Sequence, residues 1–199
     1  MMPDDSPVPR WAEHPAPEPL AQLQRFVNTH SYSGRPDRLA TATGARAWLR
    51  QEQVSGTPTA HDVTRLVGTR EAIREVLRSH NAGHSPRVGS SPLELALPHP
   101  SLTWRHAEDN IILVGAGHGL ERFLNDLAAA IVWTSLSGTW RQLKICDNDE
   151  CQVAFWDHTR NASARYCSST ACANRSRQRA FRARSMPSTS TFTRSPPSR

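Results

Sequence analysis

Four cysteines, Cys146, Cys151, Cys167 and Cys172, are the only ones in a chain of 199 residues, and they form two C-x4-C pairs fifteen residues apart. Four thiolates converging at about 2.3 Å satisfy a tetrahedral soft cation, and zinc is the ion most often held this way. Iron–sulfur clusters commonly use C-x2-C steps, which are absent. Two regulatory disulfides in a redox sensor are another use of the same thiols. A closed tetrathiolate leaves no open position for water, so one structural zinc is expected rather than a catalytic one.

Little else in the chain could do chemistry. The nine histidines are scattered and form no H-E-x-x-H pair. No P-loop or nucleophile elbow occurs. His61-Asp62 and His106 with Glu108-Asp109 read as solvated surface. Val114-Gly115-Ala116-Gly117-His118-Gly119 lies between an apolar run and a helix, as a dinucleotide-binding turn does. Its third glycine is misplaced and no acidic residue stands about 20 positions on, so it reads as a turn. The chain is not expected to be an enzyme.

Charge separates the two ends of the sequence. The formal net charge is +6, yet no acidic residue follows Asp157, while nine arginines lie from Arg160 onward. Residues 1–157 therefore sum to −3 and the remainder is a polycation, which points to a polyanionic partner. Lys144 is the only lysine. The longest apolar stretch, Leu127 to Trp133, is far short of the ~20 residues of a membrane span. With Asp4 and Asp5 near the start and no apolar h-region, no secretory signal is read, and reduced thiols in a cytoplasm are expected.

Several elements must position the cysteines. Residues 1–19 are rich in proline and acidic residues and read as a disordered leader. Leu20, Leu23, Phe26 and Val27 repeat at helical spacing, and a short helix through Ala45, Trp48 and Leu49 follows Thr43. Thr59 caps a helix to about His80 that buries Val63, Leu66, Val67, Ile73, Val76 and Leu77. After a loop from Asn81 to Pro92, strands are expected over Leu93 to Trp104 and Asn110 to Val114. A helix over Leu120 to Leu136 carries the stripe Leu120, Leu124, Leu127, Ala128 and Ile131, ends at Gly138, and buries Trp133 and Leu136 on further faces. Residues 20–138 thus read as one helix-rich α+β domain with a small antiparallel sheet.

Residues 139–185 read as a small treble-clef-like zinc finger. Arg141 to Ile145 leads as a strand into a knuckle, Cys146 to Cys151, whose backbone N–H groups can point at the thiolates. Gln152 to Trp156 alternates, with Val153 and Phe155 on one face. A return strand runs from Ala164 to Cys167, and Ser168 or Ser169 caps a helix with Cys172 in its first turn. That helix presents Asn174, Arg175, Arg177, Arg179, Arg182 and Arg184. Arg175, Arg179 and Arg182 fall within about 60° of arc, a stripe suited to phosphates or a major groove. Asn174 suits either an adenine edge or a cap, and Phe181 is expected to anchor the helix into the finger. The tail, residues 186–199, reads as disordered and basic.

Arg165-Tyr166-Cys167-Ser168 and then Cys172-Ala173-Asn174-Arg175 resemble the CGNR zinc finger, with Ala173 where that family has glycine. Phe155-x-Asp157 and Arg160-Asn161-x-Ser163 fit its hairpin. Upstream, Phe26-Val27-Asn28-Thr29, Asp37-x-Leu39 and Trp48-Leu49 are similar to the ABATE domain that precedes this finger. The resemblance implies a transcription regulator linked to stress, with DNA as partner of the basic helix. The competing expectations are a zinc module for protein–protein contact and a thiol-based redox or zinc sensor. A small effector or protein partner at the N-terminal domain fits either view, and no feature of the sequence decides the oligomeric state.

Overall fold

A computed structural model of the chain describes residues 14–32, 34–82, 91–107 and 109–185. Most of the expected leader, the middle of the Asn81-to-Pro92 loop and the tail from Met186 lie outside the described residues. The fold is α+β: helices α1 (Leu20–Val27), α2 (Ala42–Gln51), α3 (Ala60–Ala82) and α4 (Pro92–Ala96), the hairpin β1 (Leu102–Ala107) and β2 (Asn110–Gly115), helix α5 (Gly119–Leu136), the hairpin β3 (Leu143–Ile145) and β4 (Ala154–Trp156), and helix α6 (Asn174–Ser185). Both sheets are two-stranded and antiparallel, with Leu102 opposite Gly115 and Leu143 opposite Trp156.

The helix starts follow local chemistry. Thr41 caps α2 by accepting the Gly44 N–H at 3.1 Å, so the helix starts before Thr43. Gly44 has to be glycine there, because a Cβ would lie 2.5 Å from the Arg38 carbonyl oxygen. Thr59 and Asp62 cap α3 reciprocally: the Thr59 hydroxyl accepts the Asp62 N–H, and the Asp62 carboxylate accepts the Thr59 N–H at 2.9 Å. The strand expected over Leu93 to Trp104 is instead α4 followed by β1. Ser91 accepts the Leu93 N–H and Pro92 occupies the first helical turn, so a helix starts where a strand was expected. Pro98 and Pro100 then delay the strand to Leu102.

The main core joins α1, α2, α3 and α5. Phe26, Trp48 and Phe123 meet with ring centroids 5.5–5.6 Å apart, surrounded by Leu23, Leu66, Ile73, Leu77 and Leu127. The last turns of α5 differ from expectation: Trp133 is 49% and Leu136 82% exposed, so they are not buried on additional faces. Gly115 lets β2 lie against α5, since a Cβ there would sit 2.5 Å from the Asp126 backbone nitrogen. Gly117 and Gly119 take positive φ, so the glycine-rich segment serves the turn between β2 and α5.

The hairpin β3–β4 belongs to two cores at once. Leu143, Ile145 and Ala154 are in the main core and Trp156 packs against it, while Val153 and Phe155 point to a second cluster with Cys146, Cys151 and Cys172. Alternation along a strand sends neighbours to opposite faces, and both faces of β4 are used.

Candidate metal centre

The four cysteines converge. Their sulfur atoms all lie within 4.8 Å of one another, with Cys151 to Cys167 at 3.7 Å and Cys167 to Cys172 at 3.6 Å. A tetrahedron of sulfurs about 2.3 Å from a central ion has edges of about 3.8 Å, whereas a disulfide would need about 2.05 Å. All four are free thiols, and three are buried. The spacing fits a four-coordinate soft cation.

The first pair sits on a tight knuckle. The Cys146 N–H donates to the Val153 carbonyl at 2.9 Å, and the Asn148 carbonyl accepts from the N–H groups of Cys151 and Gln152. Gln152 takes a positive φ of 49° to close the turn. Backbone N–H groups of Asn148 and Cys167 donate to the Cys146 sulfur, and that of Val153 donates to the Cys151 sulfur. The amides therefore point at the thiolates as the spacing suggested. Crowding makes the thiols compete for charge. The close approach of the sulfurs holds the Cys151 thiol well below the usual range and pushes those of Cys146 and Cys167 above it. A cation that displaces the shared protons removes this conflict.

The second pair is brought in by a loop built on a buried ion pair. Lys144 Nζ donates to Asp157 Oδ2 at 2.8 Å and to the carbonyls of Ala162 and Ala164 at 2.5 and 3.1 Å. Asp157 also accepts from the Ala164 N–H and from the N–H and hydroxyl of Thr159. Burial alone would raise the Asp157 carboxyl, but Lys144 and Thr159 hold it below the usual range. Every polar atom of the pair is thereby satisfied, as a buried pair requires. Arg165 then reaches back to Asp147 Oδ2 at 2.6 Å and accepts the Asp147 N–H on its carbonyl. The return strand expected over Ala164 to Cys167 forms no ladder, because this one backbone bond replaces it.

Cys172 lies in the first turn of the helical run that leads into α6, as expected, and that turn, Ser169–Ala173, is a wide π-helical one. Ser168 caps that turn by accepting the Ala171 N–H at 3.1 Å. Helix α6 is tied to the finger by Tyr166 to Ser176, 3.0 Å between hydroxyl oxygens, and by Arg179, which bonds Asn148 Oδ1 and pairs with Glu150 at 3.2 Å. Phe181 is not the anchor: it is 64% exposed. The expected stripe of Arg175, Arg179 and Arg182 thus begins against the knuckle at Arg179. Arg177 leans on Asn174 Oδ1 at 2.5 Å, and Asn174 Nδ2 donates to the Thr170 carbonyl one turn back in the same helical run. Arg175, Arg182 and Arg184 are exposed and carry no ion pair among the described residues.

Polar side chains whose packing role was not read from the sequence join this centre to the main core. Asn28 brackets Ala154, donating to its carbonyl at 2.9 Å and accepting its N–H at 2.7 Å. Arg74, fully buried, donates to the carbonyls of Val27 and Gln152, and burial among Arg70 and Arg78 lowers it to about 10. Asn81 donates to the Ile145 carbonyl and to Asp147, and His80 Nδ1 lies 2.8 Å from the Leu143 carbonyl. Arg70 forks onto both oxygens of Asp37 at 2.7 Å. Their signal was present: Arg70 and Arg74 stand at helical spacing with Leu66, Ile73 and Leu77, on the stripe that should be apolar.

The same two regions match known families. Residues 142–185 match the CGNR zinc finger, and residues 20–135 match ABATE, described as "Putative stress-induced transcription regulator". No curated protein matches the chain. Among the described residues no helix is long and apolar enough to cross a membrane. Because the second match spans more than half of its length and the cysteine cluster lies inside the first, the chain belongs to the ABATE family and carries a CGNR zinc finger at its C-terminal side.

Proposed function

We propose that this protein is a DNA-binding transcription regulator in which one structural zinc, held by Cys146, Cys151, Cys167 and Cys172, fixes α6 as a basic reading element. The observation that carries the reading is the state of the arginines. Arg175, Arg182 and Arg184 stand exposed and, among the described residues, without ion pairs on a helix whose base is pinned at Tyr166 and Arg179. No acidic residue after Asp157 competes for them. Unpaired, preoriented guanidinium groups suit phosphate oxygens, which they grip in bidentate fashion. Arg179 holds the helix against the knuckle, Arg177 and Asn174 brace each other at its start, and both can turn outward to a groove. Zinc supplies rigidity and no reaction step. The protein acts by binding rather than catalysis, in a cytoplasm that keeps the thiols reduced.

The test is equilibrium binding of zinc-loaded protein to labelled duplex DNA across a salt series, with a chelated control. Each phosphate neutralised adds about 0.9 to the slope of log affinity against log salt. Replacing Arg175, Arg182 and Arg184 together by alanine should reduce the slope by up to about 2.7 and leave zinc content unchanged. Absence of binding at low salt, with zinc bound and the finger folded, would refute the reading.

A further inference from the structure

We propose that Arg74, on α3, is the counter-charge of the metal centre and a positioning residue for it, acting on the Cys151 thiolate through the one peptide group that joins Gln152 to Val153. This role rests on the metal reading of the four cysteines and not on nucleic acid. The carbonyl end of that peptide accepts from Arg74 Nη2 at 2.9 Å, and its N–H end donates to the Cys151 sulfur. A trans peptide is planar, with its C=O and N–H pointing opposite ways, so one rigid group carries the guanidinium on one side and the sulfur on the other. Hydrogen bonds in such a chain polarise one another, and a cation at the oxygen makes the N–H a stronger donor to a thiolate.

Arg74 has charge to spare. Three cations are buried among the described residues, Arg70, Arg74 and Lys144. Arg70 forks onto Asp37, and Lys144 pairs with Asp157. Arg74 has only Glu71, whose Oε2 lies 3.7 Å from its Nε, and Glu71 also serves Arg70 at 2.8 Å and His30 at 3.2 Å. That Nε makes no hydrogen bond, although the side chain is 0% exposed. Two arginines nearer in sequence to the cysteines are already paired, Arg165 with Asp147 and Arg179 with Glu150. A buried cation without a full partner is costly. Four thiolates on a divalent ion carry a net double negative charge, which is what Arg74 lacks.

Hydrogen bonding alone would make Arg74 a bracket between the carbonyls of Val27 and Gln152, with no preference for the sign of its charge. The counter-charge role differs from that bracket in two ways. A lysine should substitute for the arginine, because the charge survives the loss of the fork. Removing the Glu71 carboxylate should help the metal, because it frees the guanidinium from its one competing anion.

Titration of the full chain with cobalt, whose sulfur-to-metal charge-transfer absorption reports thiolate ligation, followed by competition with zinc, tests the proposal without DNA. Wild type should bind cobalt through its thiolates; a wild type that binds none refutes the metal centre itself, before any variant is compared. Arg74→Met should lower metal affinity at least about tenfold and move the charge-transfer band to lower energy, as thiolates that lose a nearby cation give up electrons more readily. Arg74→Lys should recover most of the affinity and of the band position. Glu71→Gln, at a half-exposed site, should tighten metal binding severalfold, and it keeps the test decisive should Arg74→Met fail to fold. The proposal is overturned if Arg74→Met binds within about twofold of wild type, if Arg74→Lys is as weak as Arg74→Met, or if Glu71→Gln weakens binding.

Discussion

Replacing Asn28 by alanine should weaken metal binding although Asn28 is more than a hundred residues from any ligand. Its amide makes two bonds to the backbone of Ala154, at 2.7 and 2.9 Å, in a place where Asn28 is 4% and Ala154 0% exposed. Ala154 lies on β4 between Val153 and Phe155, which face the cysteines. The substitution loses two hydrogen bonds of about 1 kcal/mol each and leaves the Ala154 N–H buried and unpaired. The Ala154 carbonyl keeps a longer bond from Gln24 at 3.3 Å, so the total should be about 3 kcal/mol. If the hairpin must dock on α1 for the thiols to converge, the same energy appears in zinc affinity as a loss of roughly a hundredfold. Urea unfolding with and without zinc, together with competition against a chromophoric chelator, measures both quantities. A stability loss of about 3 kcal/mol with zinc affinity changed less than about twofold would show that the finger folds independently of the core, and the reasoning would fail.

Three further outcomes follow from the structure. Lys144→Met should destabilise the protein by about 3–5 kcal/mol in urea unfolding, because Asp157 is left charged and buried, and Lys144→Met with Asp157→Leu should recover most of that loss. Burial, with Arg141 and Lys144 nearby, lowers the His80 pKa despite its contact with the Leu143 carbonyl. The unfolded chain therefore binds a proton near pH 6.5 that the native chain refuses, and stability should fall below that pH by up to about 1.4 kcal/mol per unit. His80→Gln should flatten that part of the pH profile; an unchanged slope would place the effect elsewhere. Gly115→Ala should cost about 1–3 kcal/mol by forcing β2 off α5, while Gly68→Ala, with open space around it in α3, should stabilise by about 0.5–1 kcal/mol. Thermal unfolding of the two variants checks the contrast.

The metal site was legible because its signal is local. Two short cysteine spacings define a knuckle and a loop-to-helix turn, and the alternation of Val153 and Phe155 names the face that meets them. The helices α1, α3 and α5 were legible for the same reason, since their apolar residues recur within one or two turns. What was missed depends on distant partners. Leu93 to Trp104 reads as apolar enough for a strand, but a capping serine and three prolines decide its shape. Trp133, Leu136 and Phe181 look like core residues and are exposed, because nothing in the spacing of a helix says whether a neighbour covers that face. Arg70, Arg74 and Asn28 are buried; the two arginines stand on the apolar stripe, but their partners, a carboxylate and backbone groups, are brought close only by folding. The arginine stripe on α6 was visible, but not that one of its members is held by Asn148 and Glu150.

The burial of Lys144 has a practical consequence. It is the only lysine in the chain, its side chain is 4% exposed, and its ammonium is fully engaged. Amine-directed reagents should therefore leave every side chain of the native protein untouched and react only at the α-amino group. When the loop that carries Cys167 opens, a single new acylation site appears two residues from Cys146. Mass spectrometry of briefly acylated protein would then count open molecules one by one, without a fluorophore or an added tag.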